Sequence, residues 1–267
     1  MINYQDILSA KDVISTVAKK TPLLHSRQLS TLCGNEIYLK GEHLQPTGAF
    51  KIRGAMNAVQ HAVSQGATLV TAASAGNPGD EVAFAAASLN IPATIVVPTD
   101  AATCKVAAIK GYGGLIEYCG TTSEERIPRA IEIAATQDGA FIPPYDDPYV
   151  AAGQGTIALE ILEQLPERDA LVVPVGGGGL ISGILTAIKA HHPHIKVYGV
   201  EPESGNDTCL SLKEGERTLI SPARTIADGL RTSQPGEKTF PILQQHLDDL
   251  ILVSDDEIRT AFAYVLE

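Results

Sequence analysis

The chain has 267 residues, 44% hydrophobic and 19% charged, and carries 20 basic against 31 acidic side chains for a net charge of −11. That length supports one large α/β domain or two lobes with cores of their own. An acidic chain without a Lys/Arg stripe argues against nucleic acid, no apolar run approaches a membrane span, and the polar start MINYQDILSAKD does not read as a signal peptide. Cys33, Cys104, Cys119 and Cys209 are scattered without a CxxC pair, which excludes a disulfide framework or zinc knuckle and points to a reducing cytoplasm.

In chain order, EIYLK (36–40) reads as a strand, followed by a Pro46-Thr47-Gly48 turn into an Ala-rich helix around Lys51. TLVTAAS (68–74) is a strand leading through glycines into a helix; ATIVVP (93–98) is a strand and 103–113 a helix; GLIEYC (114–119) is a strand, and a helix begins at Ser123. AFIPPY (140–145) reads as a strand with a helix over 154–165, and ALVVPV (170–175) as a strand running through Gly176–Gly179 into a helix. KVYGVEP (196–202) and DDLILV are the last strands, the latter followed by a Ser/Asp cap and helix. This alternation predicts parallel sheets with helices on both faces, and the continuous apolar runs ATIVVP and ALVVPV predict strands buried on both sides.

Ligands of such sheets bind beyond the carboxyl ends of the strands. Three turns there are glycine-rich or polar: 46–49, 74–79 and 176–179. Lys51 falls at or near the first turn of its helix, between Phe50 and Ile52, where the dipole disfavours an ammonium. Such a lysine either snorkels to water or acts as a neutral nucleophile toward a carbonyl. Gly176-Gly177-Gly178-Gly179 lets backbone N–H groups converge on an anion, a phosphate being the natural guest; the alternative is a tight turn with close packing. It is neither a GxGxxG fingerprint, since Ile181 and Ser182 fill the last position, nor a P-loop. Ser74-Ala75-Gly76-Asn77 offers a second set of amides, suited to a carboxylate, or is a plain turn. A nucleophilic lysine, a phosphate cup and a carboxylate cup together suggest pyridoxal 5′-phosphate and an amino-acid substrate.

The stretches TPLLHSRQLS (21–30), YLKGEHLQPTGAFKIRGA (38–55), SAGN (74–77), IPPYDDPYVAAGQGTIALEI (142–161), VVPVGGGGLISG (172–183), VEPE (200–203) and TIADGL (225–230) resemble the fold-type II pyridoxal-phosphate enzymes, specifically the threonine/serine dehydratase and serine racemase family. The resemblance implies a two-lobe, tryptophan synthase β-like α/β fold of mostly parallel twisted sheets: a large lobe of residues 1–67 and 146–267 and a small mobile lobe of 68–145. It implies that Lys51 holds the cofactor as a Schiff base and removes the substrate α proton. Phe50 then flanks the ring, Asn77 bonds its 3′-oxygen, Gly176, Gly177, Gly178 and Gly179 hold the phosphate, and Ser74, Ala75, Gly76 and Asn77 hold the substrate carboxylate. By the same resemblance Glu201, Gly205 and Asp207 have the spacing of a Mg²⁺ or Ca²⁺ site, against the alternative of an acidic surface loop. The family pattern implies a homodimer.

The implied chemistry is β-elimination of L-threonine or L-serine to a 2-oxo acid and ammonia. 3-Hydroxyaspartate is an alternative substrate. Racemases of the family carry Ser where this chain has Ala75, and a methyl group carries no proton, so racemisation is disfavoured. Ala49 stands where many members have Ser, and Pro78 where many have His. The sequence ends at Glu267 inside a helical pattern, and no Glu-Pro-Ser/Thr-Gly or Ser-Gly-Gly-Asn segment that would partner the pyridine nitrogen occurs within it. A strand and helix usual at the C-terminal end are therefore expected to be missing from this fold, and a rival reading is a homologue that binds cofactor or amino acid without catalysis.

Overall fold

The computed structural model describes residues 1–74 and 77–266. The chain begins with α1 (Tyr4–Ile14), which sequence patterning did not single out. It is closed by a capping box in which Asn3 accepts from the Gln5 and Asp6 amides and Asp6 accepts from the Asn3 amide. A two-stranded antiparallel ribbon follows, β1 (Leu23–His25) and β2 (Tyr38–Lys40), with α2 (Arg27–Cys33) between them. Then come α3 (Ile52–Ser64), β3 (Val70–Ala73), α4 (Asn77–Ser88), β4 (Ala93–Val97), α5 (Thr103–Gly111), β5 (Leu115–Tyr118), α6 (Ser123–Thr136) and β6 (Ala140–Phe141). These four strands form a parallel sheet in the order β5-β4-β3-β6.

Alternation along β4 shows that this sheet is covered on both faces. Ile95 and Val97 join a core with α4 and α5 residues such as Val82, Ala86 and Ile109, whereas Val96 packs with Ala130 and Ile133 of α6.

The chain continues through α7 (Pro148–Gln164), β7 (Ala170–Pro174), α8 (Gly179–His191), β8 (Lys196–Pro202), α9 (Asp207–Glu214), α10 (Phe240–His246), β9 (Asp249–Val253) and α11 (Asp255–Leu266). β7, β8 and β9 form a second parallel sheet in that order. Its core joins Leu171, Val173 and Val197 to α8, α7 and α1.

Three expectations are corrected. The strand read over 140–145 is only Ala140–Phe141, because Pro143 and Pro144 have no N–H with which to continue the ladder. The helix read from 154 starts at Pro148, where Asp147 caps the Tyr149 and Val150 amides at 2.8 and 3.0 Å and proline suits the first helical position. β7 is not buried on both sides: Leu171 and Val173 face the core, but Val172 is 68% exposed, so its apolar run reflects composition rather than double burial.

α7 lies between α3 and α8 at backbone distance. A Cβ on Gly153 would stand 2.5 Å from the Arg53 carbonyl oxygen and 2.7 Å from the Cα of Gly54. On the other side, a Cβ on Gly183 would overlap the Ala151 carbonyl and one on Gly155 would stand 2.8 Å from the Gly183 carbonyl. Gly183→Ala is therefore expected to destabilise the fold by about 1–3 kcal/mol, the cost of overpacking a close helix contact, read as a lower urea midpoint at unchanged slope.

Candidate active site

Lys51 occupies the N-cap position of α3, with helical backbone angles and a half-buried side chain, and its Nζ lies 5.8 Å from the Phe50 ring centroid. The reason the helix starts there is found two residues on. Arg53 is 1% exposed and is held by Glu42 at 2.8 Å, by Glu160 at 2.7 Å, by the Thr156 hydroxyl and by the Lys19 carbonyl. Burial opposes the guanidinium charge, but bonds to the two carboxylates outweigh it and hold Arg53 above its ordinary value. Lys40 joins through Glu160 at 2.6 Å. This network ties the start of α3 to the ribbon and to α7.

Beside Lys51 is a small cavity of about 10 Å³, lined also by Glu81 of α4, by Ile142, Pro143 and Pro144, and by Gln154 of α7. The next residue, Tyr145, connects this cavity to the glycine turn. A Cβ on Gly177 would overlap the Tyr145 ring, and one on Gly179 would stand 3.0 Å from its Cβ. Gly178 has φ +91°, a left-handed conformation that suits glycine. It is the N-cap of α8, and the Ser182 amide closes onto its carbonyl, so the amides of the first turn have no partner within the helix.

The carbonyl of Gly177 is turned away from that cup, accepting from the Thr239 hydroxyl at 2.7 Å and the Gly236 amide at 3.2 Å. Asp146 accepts from the Glu237 and Lys238 amides at 3.0 and 2.8 Å, pinning the same segment. Gly229 and Leu230, from the TIADGL stretch, lie against Gly176. Sequence reading missed Thr239 and Asp146; IPPYDDP contains the latter, but its partners are 91 and 92 residues away.

Ser74 directly follows β3 and is buried, and its hydroxyl accepts from the Gly79 amide at 3.0 Å. Ala75, Gly76 and the side chain of Asn77 lie outside the described residues. Two buried charged groups on helices that pack on the same sheet were not foreseen. Glu81 is 1% exposed with no hydrogen-bond partner on either oxygen among the described residues, and burial pushes it well above the usual carboxylate range. Arg126, at the start of α6, is 4% exposed; its Nη2 bonds Ser123 while Nε and Nη1 have no partner among the described residues, and burial draws it below its ordinary value.

Glu201, Gly205 and Asp207 are all buried. Glu201 accepts from the Thr208 and Cys209 amides at 3.1 and 2.9 Å; Asp207 accepts from Thr232 at 3.3 Å on one oxygen and has no partner on the other among the described residues. Burial raises Glu201 to about 7 and Asp207 to about 6.

Residues 14–267 match the family described as pyridoxal-phosphate dependent enzyme. The chain belongs to that family. It is 45% identical over 265 residues to the L-threo-3-hydroxyaspartate ammonia-lyase of Saccharomyces cerevisiae, covering 99% of this chain and 81% of the relative. It is 41% identical over 268 residues to the L-threonine ammonia-lyase of Thermotoga maritima, covering 100% of this chain and 67% of the relative. Among solved structures, maize serine racemase superposes with a TM-score of 0.96 at 36% identity, over 100% of this chain and 81% of that one. The protein is thus an enzyme with the fold-type II architecture, in a group that contains threonine and hydroxyaspartate ammonia-lyases and serine racemases.

The residues present fit pyridoxal phosphate: a half-buried lysine at a helix start, and beyond Tyr145 a glycine turn whose helix-start amides have no partner within the helix and in which side chains would clash. Thr239→Val removes the bond that turns the Gly177 carbonyl away. The variant enzyme is expected to bind pyridoxal phosphate about fivefold more weakly, the equivalent of one neutral hydrogen bond, in an absorbance titration of cofactor-free protein.

Proposed function

We propose that this pyridoxal-phosphate enzyme is an ammonia-lyase that removes water from a β-hydroxy amino acid, L-threonine or L-serine, leaving a 2-oxo acid and ammonia. The observation that carries the reading is the placement of Lys51, at the head of α3 and beside the cavity that Tyr145 links to the Gly176–Gly179 cup. In this reading Lys51 bonds the cofactor's aldehyde carbon, Phe50 flanks its ring, and the amides at the start of α8 hold its phosphate. Ser74, Ala75, Gly76 and Asn77 take the substrate carboxylate, and Asn77 also bonds the ring oxygen.

When bound, pyridoxal phosphate supplies a ring that withdraws the electrons left at Cα. Lys51, freed as an amine when the substrate takes its place, accepts the α proton and delivers a proton to the departing β-hydroxyl. Residues 68–145 form the smaller lobe in this reading, closing on substrate against 1–67 and 146–267 to exclude water. The enzyme is proposed to work as a homodimer in the cytoplasm. Two of its free cysteines, Cys33 and Cys104, are exposed, which suits a reducing compartment, and no helix among the described residues is long and apolar enough to cross a membrane.

A second substrate, 3-hydroxyaspartate, is favoured by Arg126. A buried guanidinium with two nitrogens unpartnered among the described residues, beyond the carboxyl end of β5, suits a second carboxylate. The yeast relative is named for that substrate. Racemisation is disfavoured because Ala75 has no group to return a proton on the opposite face.

For wild-type protein with pyridoxal phosphate, a Schiff-base absorbance band is expected. Lys51→Ala should abolish the band and lower kcat by about 1,000-fold or more, since it removes the base itself. Threonine, serine and L-threo-3-hydroxyaspartate are then compared by 2-oxo acid release. Arg126→Met is expected to lower kcat/KM for 3-hydroxyaspartate at least about tenfold more than for threonine if the second substrate is the physiological one. A band without oxo acid from any of the three would overturn the lyase reading.

Glu201, Gly205 and Asp207 are proposed to hold Mg²⁺ or Ca²⁺, supported by the unpartnered Asp207 oxygen and an all-oxygen donor set. The ion would bind the folded state only. Chelation is therefore expected to lower the Tm by several degrees, with recovery on adding Mg²⁺ or Ca²⁺, and Asp207→Asn should abolish that response.

A further inference from the structure

We propose that the groove where the chain crosses between its two lobes is a binding site for a small organic cation: an ammonium ion with an apolar or aromatic body and no carboxylate. The binding site stands on its own geometry. Its effect on the enzyme rests on the division into lobes 1–67 with 146–267 and 68–145 given above.

The groove has a volume of about 520 Å³, on the scale of small-molecule sites. Three elements wall it. Along α3, Ala58, His61, Ala62 and Gln65 recur at the spacing of one helix face. The edge strand β6 and its flanks supply the opposite wall, from Asp138 to Pro143. Asp147 and Tyr149, at the head of α7, close one end.

The lining selects for positive charge on an apolar body. Ala62 and Ile142 are buried and give an apolar floor. Asp138 and Asp147 are its acidic groups, and no lysine or arginine among the described residues lines it. Asp147 spends one oxygen on the Tyr149 and Val150 amides. Asp138 is exposed, and Thr68 bonds its backbone carbonyl, which leaves the carboxylate to face the groove or water. His61 and Tyr149 are stacked with centroids 3.5 Å apart at 15°, and Tyr149 is 39% exposed. Such a ring pair adds an attraction for a cation. An anion would meet two carboxylates without a basic partner, so the groove disfavours the carboxylate of a free amino acid.

The place of the groove gives the binding a consequence. Both crossings between the lobes line it, at 65–67 and at 143–147. The Asn57 amide donates to the Tyr149 carbonyl at 2.7 Å, so the α3 and α7 walls are tied to each other. The wall from 138 to 143 belongs to the other lobe. A ligand touching all three walls therefore bridges the lobes and biases their closure. Ile142 and Pro143 also line the cavity beside Lys51, which puts the two sites back to back across one segment.

The test titrates benzyltrimethylammonium into the pyridoxal-phosphate-loaded enzyme at about pH 8, by calorimetry. This probe has no N–H and forms no Schiff base with the cofactor. It is expected to bind, with benzyl alcohol and benzoate at least about tenfold weaker. Asp138 has φ +50°, a conformation that Asn also tolerates, so Asp138→Asn should fold with unchanged activity and bind the probe about fivefold more weakly. His61→Ala should weaken it about threefold and carries the test if the first variant does not fold. The probe should also slow amide exchange at 65–68 and 138–142 and shift KM for the amino-acid substrate about threefold or more. No binding, equal binding of benzyl alcohol, or full affinity in both variants would overturn the site. Binding that changes neither exchange nor KM would overturn the bridge between lobes. Absence of 2-oxo acid in every arm, with binding and protection intact, would overturn the lyase reading alone.

Discussion

Helix α7 touches both halves of the site at one level, and the rest of the arrangement depends on that contact. Its residues 150–155 meet the backbone of α3 at Arg53 and Gly54 and the backbone of α8 at Gly183. Gly54 is three residues past Lys51, and Gly183 is four past the start of α8. At a rise of about 1.5 Å per residue, each contact lies within roughly a turn of the functional group it locates. Backbone-to-backbone packing leaves little soft side chain to absorb a shift, so the lysine and the glycine turn are held to a small tolerance. Tyr145, immediately ahead of α7, fills the space between them.

Buried charge in this molecule falls into two kinds. Arg53, Glu42, Glu160 and Lys40 satisfy one another and hold three elements together. Such a network is high in stakes, since removing one member strands the others in a dry site. Asp80, Glu81, Arg126 and Asp207 each have a polar atom without a partner among the described residues. All four lie in helices that follow a parallel strand: α4 after β3, α6 after β5, and α9 after β8. Ligands of open α/β sheets gather on that side. Arg168, ahead of β7, is the exception and belongs to a helix end, where it bonds the Leu165 and Pro166 carbonyls.

Much of the site could be read from local pattern because its parts are local. A glycine run between a strand and a helix, and a lysine at a turn into a helix, each announce themselves within a dozen residues. Thr239 and Asp146 did not, since a threonine before a short helix and one Asp of an Asp-Asp pair are ordinary until the fold carries residues 236–239 to the glycine turn. Glu81 and Arg126 sit on helices where a charged residue normally faces water. Only their burial marks them. The same limit explains β7, whose apolar run looked doubly buried although Val172 faces outward, and 142–145, where two prolines ended a strand that hydrophobicity alone would have extended.

The sequence by itself determined the β/α alternation, the parallel sheets that follow from it, and the places of the candidate lysine and glycine turn at helix starts, because periodicity, turn chemistry and capping act within one element. Tertiary structure decided which distant residues meet those elements: the Arg53 network, the hydroxyl of Thr239 on Gly177, the small cavity that Lys51 and Glu81 both line. Those outcomes depend on desolvation and on the closeness of helices that are far apart in the chain. Neither quantity is carried by any single segment of sequence.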